Sequence, residues 1–269
     1  MPSAVTFDEV LASAVQYFIQ YGYQNEEALT YWSTRLAEAA RRSMISITQM
    51  NEKVRAALTA EYTRLVERGL AISKHPEIAK STLAKIRPEL RRVLSDRIAA
   101  SALLIRLNRE EAIASTVRRF AGWASSLPPT PQVGTPAREV RASIRKGLAA
   151  ASFQERRLLI DQGHKLNANI NATIAEGGGA IAAIWISHYS QHNYDFRESH
   201  KDLDLESHKR PFLIRNSWAH KAGLLSTVNA TFTDELEYQP GQQPYCRCYF
   251  LYIYSLSKLP KDMLTRKAA

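Results

Sequence analysis

From Asn25 to Arg68 the sequence contains neither glycine nor proline, the two residues least favourable inside a helix. The segment is rich in alanine, leucine, glutamate and arginine, which are strong helix formers. Apolar residues recur in it at helical spacing, as at Leu29, Trp32 and Leu36. The pattern predicts one long helix or a pair of helices.

The same pattern returns further along the chain. Residues 70–76 interrupt it, and residues 81–124 resume it with leucine and isoleucine at helical spacing. Pro88 falls inside this second stretch and predicts a helix start there, because proline is favoured in the first turn of a helix. The first 125 residues are therefore predicted to form a helical hairpin or small bundle.

Four of the chain's eleven prolines lie in residues 126–136. A proline-rich stretch of this kind is extended and does not continue a helix. We therefore predict a domain boundary at this segment. Residues 1–125 would form a helical docking arm, residues 126–136 a linker, and residues 137–269 a second domain.

The second domain is predicted to be helical at first and then to form a sheet. Residues 137–175 have a helical pattern that Gly147 and Gly163 divide, and the glycines just after it predict a turn. Runs of β-branched and aromatic residues then predict strands at 182–189 and 246–254. The fold class is therefore α+β, with a helical N-terminal half followed by a helix and a small antiparallel sheet.

The composition limits the class of protein. Two cysteines are too few for a disulfide-stapled secreted scaffold. The first residues lack the basic head and apolar run of a signal peptide, and no stretch reaches roughly eighteen uninterrupted apolar residues. These features predict a protein made in a reducing cytoplasm and without a membrane partner.

The net charge of +10 arises from Lys74 onward, because residues 1–73 contain seven Lys and Arg against eight Asp and Glu. A basic surface attracts phosphate backbones, so adjacent basic residues on predicted helices are candidate nucleic-acid contacts. Ion pairing with nearby acids such as Glu110, Glu111 and Glu155 is an equally supported alternative. The candidate contacts are Arg91, Arg92, Arg118, Arg119, Arg145, Lys146, Arg156 and Arg157.

Both cysteines lie in one tetrapeptide, Tyr245-Cys246-Arg247-Cys248, and five of the seven histidines lie in the sixty residues before it. A Cys-x-Cys pair is strained as a disulfide but can chelate a metal, and zinc binds thiolate and imidazole. His200 with His188, His192 or His208 could complete such a site. The alternative is that the cysteines pack in a strand core and the histidines cap polar loops. We expect both thiols to be reduced and within about 8 Å of His200.

Three segments, in this order, form a recognisable pattern. They read Trp185-Ile-Ser-His188, then Asp195-Phe-Arg197-Glu-Ser-His200-Lys-Asp-Leu203, then Pro240-Gly-Gln-Gln-Pro244-Tyr-Cys246-Arg247-Cys248. The pattern resembles the C-terminal signature of the phage Mu F-like head morphogenesis proteins and covers residues 140–254. The arginine-threonine-glutamate motif that this family has upstream of the tryptophan is missing from residues 162–173.

The resemblance implies a non-enzymatic virion structural protein, a minor head protein at the portal vertex of a phage. It implies a role in head assembly and in DNA packaging or ejection. The expected partners are the portal protein, other head proteins and packaged double-stranded DNA, with several copies of the chain in each virion. The chain would be made in the host cytoplasm, and its only cofactor would be a structural zinc ion or none.

Within the pattern, Asp195, Arg197 and His200 are expected to form a charge-assisted hydrogen-bond network that ties the preceding loop to the Cys-Arg-Cys strand. No motif supplies a nucleophile or an activated water, so the sequence does not favour an enzyme. The alternative function is a zinc-dependent nucleic-acid enzyme or toxin-like domain that uses the His and Cys cluster. A third hypothesis is a free DNA-binding regulator. The lack of a recognisable helix-turn-helix signature argues against it.

Overall fold

The computed structural model describes residues 5–149 and 151–268. Within these ranges the chain forms eight α-helices and a three-stranded antiparallel sheet, which confirms the predicted α+β class. None of the described helices is long and apolar enough to cross a membrane. The helices are α1 (Phe7–Tyr21), α2 (Glu26–Ser43), α3 (Ile47–Tyr62), α4 (Lys80–Ser125), α5 (Ala137–Ala149), α6 (Ala151–Gly178), α7 (Glu198–Lys209) and α8 (Trp218–Lys221). The strands are β1 (Ala182–Ile186), β2 (Phe212–Leu213) and β3 (Tyr249–Ile253).

The glycine-free segment forms a pair of helices, α2 and α3, and one turn of π-helix at Thr63–Glu67 continues α3. The predicted helix start at Pro88 is wrong, because Pro88 lies inside the continuous helix α4. A proline in a helix removes one backbone hydrogen bond. Strong helix formers on both sides, and the fully buried Leu90 two residues later, keep α4 continuous.

The predicted helix at 137–175 is two helices, α5 and α6, and residue 150 between them lies outside the described residues. Gly147 is in the last turn of α5, whereas Gly163 lies inside α6. Helix α6 ends at the glycine run, as predicted. Gly179 has a φ of +75°, and the N–H of Ala180 donates to the carbonyl of Ala175 at 2.9 Å, which closes the last turn.

The sheet has the order β2-β1-β3, with both pairs antiparallel. In the β1–β3 pair, Ala182 lies opposite Ile253 and Ile186 lies opposite Tyr249. The predicted strand at 246–254 therefore begins only at Tyr249, where pairing with β1 ends. Both cysteines lie in the extended approach to β3 and not in the strand.

Two compact units divide the chain, at positions other than the predicted boundary. Unit 1 consists of Met1–Val54 and Ala100–Leu158, and unit 2 of Arg55–Ala99 and Leu159–Ala269. The proline-rich segment 126–136 lies within unit 1, where it packs on the end of α1. There the N–H of Gln132 donates to the carbonyl of Ile19 at 2.8 Å. Gly22 has a φ of +66°, and a side chain on it would overlap the carbonyl of Pro128, so the close approach requires glycine.

Candidate metal centre

Three segments of unit 2 bring the thiols and an imidazole together. Arg197 is the N-cap of α7, so His200 lies in the first turn of that helix and points into the unit. The extended residues before β3 carry Cys246 and Cys248, and the central strand β1 carries Trp185. The side chains of Trp185, His200, Cys246 and Cys248 are all buried. The site is therefore built where α7, β1 and the approach to β3 meet.

The Nδ1 atom of His200 lies 3.4 Å from the Sγ atom of Cys248 and 3.7 Å from that of Cys246. These three atoms all lie within 4.8 Å of one another, and both cysteines are free thiols. The predicted proximity of His200 to both thiols is confirmed.

The separations suit zinc. Zinc bonds of about 2.3 Å to sulfur and about 2.05 Å to nitrogen, at the tetrahedral angle, place the sulfur and nitrogen about 3.6 Å apart. The two observed distances of 3.4 and 3.7 Å lie on either side of that value. The group could therefore hold a metal ion with little movement of its side chains.

The two thiols differ in their acidity. The pKa of Cys246 is lowered to about 5, first by a hydrogen bond from the Cys248 thiol, and also by the N–H of Gly241 and by His200. The N–H of Gly241 lies 3.4 Å from the Sγ atom of Cys246. The pKa of Cys248 is raised, because Cys246 takes the negative charge first and burial opposes a second charge. Cys246 is therefore the thiol that ionises first, and a bound cation would favour its thiolate form.

Aromatic rings enclose the centre. The Trp185 ring centroid lies 5.3 Å from that of His200, and the Phe250 ring lies 5.6 Å from Trp185. Leu203 and Leu236 pack against the same cluster. Among the described residues the second ring nitrogen of His200, Nε2, has no hydrogen-bond partner. The two sulfur atoms are therefore the polar contacts that orient this imidazole.

The other histidines proposed as ligands lie outside this group. The His188 ring packs near Tyr194 and Tyr249, and His192 is exposed. The Nδ1 atom of His208 lies 3.0 Å from a carboxylate oxygen of Asp204. Among the described residues the metal-binding group therefore contains three side chains, and the prediction that one of these histidines completes it is wrong.

The predicted polar network is present only in part. The guanidinium of Arg197 donates to the carbonyl of Pro244 at 2.9 Å, which ties the start of α7 to the segment before Cys246. Asp195 is exposed and does not take part in this contact. His200 faces the sulfur atoms instead of the arginine.

Two polar residues that the sequence analysis did not single out fasten α7 to β1. The carboxylate of Asp204 accepts from the N–H of Ser187, and the hydroxyl of Ser207 accepts from the N–H of Trp185 at 2.9 Å. Both side chains are buried on the face of α7 that carries His200. Polar residues three apart, on the helix face that includes Leu203, were the signal that could have identified them.

The candidate nucleic-acid contacts are divided between the units, with Arg91 and Arg92 in unit 2 and the others in unit 1. In three of the four pairs, one member is ion-paired with an acid of its own unit and the other is exposed. The ion pairs are Arg92 with Glu89, Arg118 with Glu111 and Arg145 with Asp8. In the fourth pair, Arg156 is exposed and Arg157 is half-buried.

Comparison with known proteins gives no relative: no family model, no curated protein and no solved structure matches this chain. The likeness to the Mu F-like proteins therefore rests on the three motif segments.

Proposed function

We propose that this chain is a non-enzymatic virion structural protein, a minor head protein that acts at the portal vertex in head assembly and in DNA packaging or ejection. One observation carries the proposal. Residues of the three motif segments, from Trp185 to Cys248, meet in one buried cluster of unit 2. A chance arrangement of common residues along the chain has no reason to converge in space. Convergence is expected of a family signature that maintains a fold.

The cluster also supports a structural zinc ion as the cofactor. His200, Cys246 and Cys248 are 2%, 1% and 4% exposed, so substrate has no route to an ion held between them. Catalytic zinc sites keep a position open to substrate, whereas structural sites are closed. The three side chains would supply three of the four positions of a tetrahedral shell. In this role the ion joins α7 to the approach of β3.

The virion assignment is tested by mass spectrometry of purified phage particles. We expect this chain in the mature head or in assembly intermediates, at a fixed ratio to the portal protein. Purified chain should also bind purified portal in sedimentation experiments. Absence of the chain from both particles and intermediates, together with no portal binding, would overturn the assignment.

The zinc proposal is tested by the metal content of the purified full-length chain. We expect one zinc per chain, lost on substitution Cys246→Ser or Cys248→Ser and kept in the control His192→Gln, whose side chain is exposed. Cobalt in place of zinc should give thiolate charge-transfer bands that the same two cysteine variants lose. A wild-type chain that stays metal-free after incubation with zinc contradicts the proposal.

The enzyme alternative is separated by activity on DNA and RNA in the presence of zinc or magnesium. We expect no cleavage above that of a blank preparation. Cleavage that disappears in His200→Ala and persists in His192→Gln would replace the structural assignment with the enzymatic one.

A further inference from the structure

Unit 2 contains a second site, separate from the buried thiols. An open cavity of about 660 Å³ lies between the end of α3, the middle of α6 and the residues before β3. Pockets that hold small molecules and cofactors have volumes of about 300–1,000 Å³. The side chains that matter for its chemistry are Arg64, Lys74, His164, His188, Arg247 and Tyr249.

Positive charge dominates this cavity. Arg64, Lys74 and Arg247 line it together with one acid, Glu61, which is ion-paired with Arg64 at 2.5 Å. Lys74 and Arg247 form no ion pair with any described carboxylate. Their close neighbours are aromatic rings: the Nζ atom of Lys74 lies 4.3 Å from the ring centroid of Tyr249, and the guanidinium of Arg247 lies 5.3 Å from that of Tyr194.

Lys74 is partly buried, and a partly buried cation without a counter-charge is costly. Burial and the charge of Arg64 both lower the pKa of Lys74, which indicates that the ammonium group is held against a like charge. Asp161, the other acid close to His164, already accepts a hydrogen bond from the N–H of Tyr245. An anion entering the cavity would remove this repulsion.

We infer that this cavity binds a phosphate-bearing ligand, with Arg247 and Lys74 as the cations that hold the phosphate. A guanidinium fork and a lysine ammonium from separate segments suit a tetrahedral anion with several charged oxygens. The imidazoles of His164 and His188 and the amide of Asn167 add hydrogen-bonding groups to the same wall. The ring of Tyr249 offers an apolar face beside them. The inference does not depend on the virion assignment.

The cavity also explains the residue between the two cysteines. In an extended segment successive side chains point to opposite sides. Cys246 and Cys248 face His200 in the core, and Arg247 between them is exposed and lines the cavity. One tripeptide therefore contributes to the thiol centre on one side and to the anion site on the other.

The test measures binding to the full-length chain by calorimetry at fixed ionic strength, with pyrophosphate, a nucleoside triphosphate and a short single-stranded oligonucleotide as probes. The variants are Lys74→Gln and Arg247→Gln, and Lys80→Gln is the control because it removes the same charge from an exposed position six residues away. We expect each cavity variant to weaken binding about 10- to 100-fold, as for loss of a charge-assisted hydrogen bond. The control should bind as the wild type does.

The probes distinguish the source of the phosphate. Tightest binding of the triphosphate identifies a free nucleotide. Tightest binding of the oligonucleotide, with a salt dependence that flattens in Arg247→Gln, identifies a nucleic-acid backbone. Lys74→Gln lies outside the Cys-Arg-Cys segment, so its result stands even if Arg247→Gln disturbs the fold. No binding of any probe at millimolar concentration, or an equal loss in Lys80→Gln, overturns the inference.

Discussion

Units 1 and 2 are stabilised by different chemistry. Unit 1 contains neither a histidine nor a cysteine, and α1, α2, the C-terminal part of α4, and α5 share one large apolar cluster. Unit 2 contains all seven histidines and both cysteines, and it divides its core among smaller clusters. Several of its buried groups are polar, as in His75, Asn171, His200 and Asp204. The comparison predicts that metal, thiol chemistry and mild acid act on unit 2 and spare unit 1.

The largest effect is expected from removing the thiol centre. If the proposed zinc ion is bound, the double substitution of Cys246 and Cys248 by serine, or removal of the ion with a chelator, should destabilise unit 2 by several kcal/mol, because structural zinc binding contributes on the order of 10 kcal/mol in small domains. Hydrogen exchange followed by mass spectrometry would measure it. We expect protection to fall in β1 and α7 and to be retained in α1. An equal loss in α1 would show that the two units do not differ in this way.

The next effect tests a buried ion pair of unit 1. The guanidinium of Arg109 is ion-paired with Glu155 and also donates to the carbonyl of Ile45 at 2.8 Å. The side chains of Arg109 and Glu155 are only 6% and 13% exposed. Substitution Arg109→Ala leaves a buried carboxylate unpaired and should lower the free energy of unfolding by about 3–5 kcal/mol.

The matched control for that prediction is Arg118→Ala. Arg118 is ion-paired with Glu111 on the exposed surface of the same helix, and such a pair contributes about 0–1 kcal/mol. Urea unfolding compares both variants with the wild type. If both variants lose the same free energy of unfolding, burial does not make the Arg109 ion pair more stabilising than the exposed one.

A smaller effect comes from two glycines in the helices of unit 1. A methyl group on Gly147 would lie 2.9 Å from the backbone nitrogen of Thr116, whereas one on Gly122 would meet nothing within 4 Å. Gly147→Ala should therefore destabilise the protein by about 1–3 kcal/mol through overpacking. Gly122→Ala should stabilise it by about 0.5–1 kcal/mol, because alanine favours the helix. Thermal unfolding should show a lower melting temperature for Gly147→Ala and a higher one for Gly122→Ala. Stabilisation by Gly147→Ala would show that α5 can move away from Thr116.

Some elements of the fold follow directly from the sequence. Helix α2 follows from apolar periodicity, α4 does so apart from the break predicted at Pro88, and the strands follow from runs such as 249–253. The error at Pro88 arose because a local rule for proline was outweighed by the good helix formers around it. The convergence of His200 with the thiols was predictable because a Cys-x-Cys pair and a nearby histidine suit a metal chelate.

Other features had no local signal in the sequence. Arg64, Lys74 and His164 belong to three separate segments, and only the folded chain brings them to one cavity with Arg247. The proline-rich segment looked like a linker because its composition is that of a linker. Its hydrogen bond to Ile19 and its fit against Gly22 depend on residues about 110 positions away, which composition does not reveal.

A further effect is a pH dependence that belongs to unit 2. His75 is buried, and its ring nitrogens are hydrogen-bonded to the hydroxyl of Tyr254 and, at 3.0 Å, to the amide oxygen of Asn171. Burial is the largest cause that lowers the pKa of His75, so the folded chain keeps this imidazole neutral. Burial lowers the pKa of His164 as well.

The direction of this pH dependence follows from the lowered pKa of His75. Below an unfolded pKa of about 6.5 the unfolded chain binds a proton that folded His75 does not, so stability falls as the pH falls. At pH 5.5 the free energy of unfolding falls by at most about 1.4 kcal/mol for each such histidine. This limit depends only on the pKa of histidine in the unfolded chain. Hydrogen exchange at pH 7.5 and 5.5, corrected for intrinsic rates, should show reduced protection in α6 near Asn171 and in β3, and none of this change in α1 or α2. His75→Gln should reduce the pH dependence of protection in unit 2. If that pH dependence is unchanged in the variant, other titrating groups cause it.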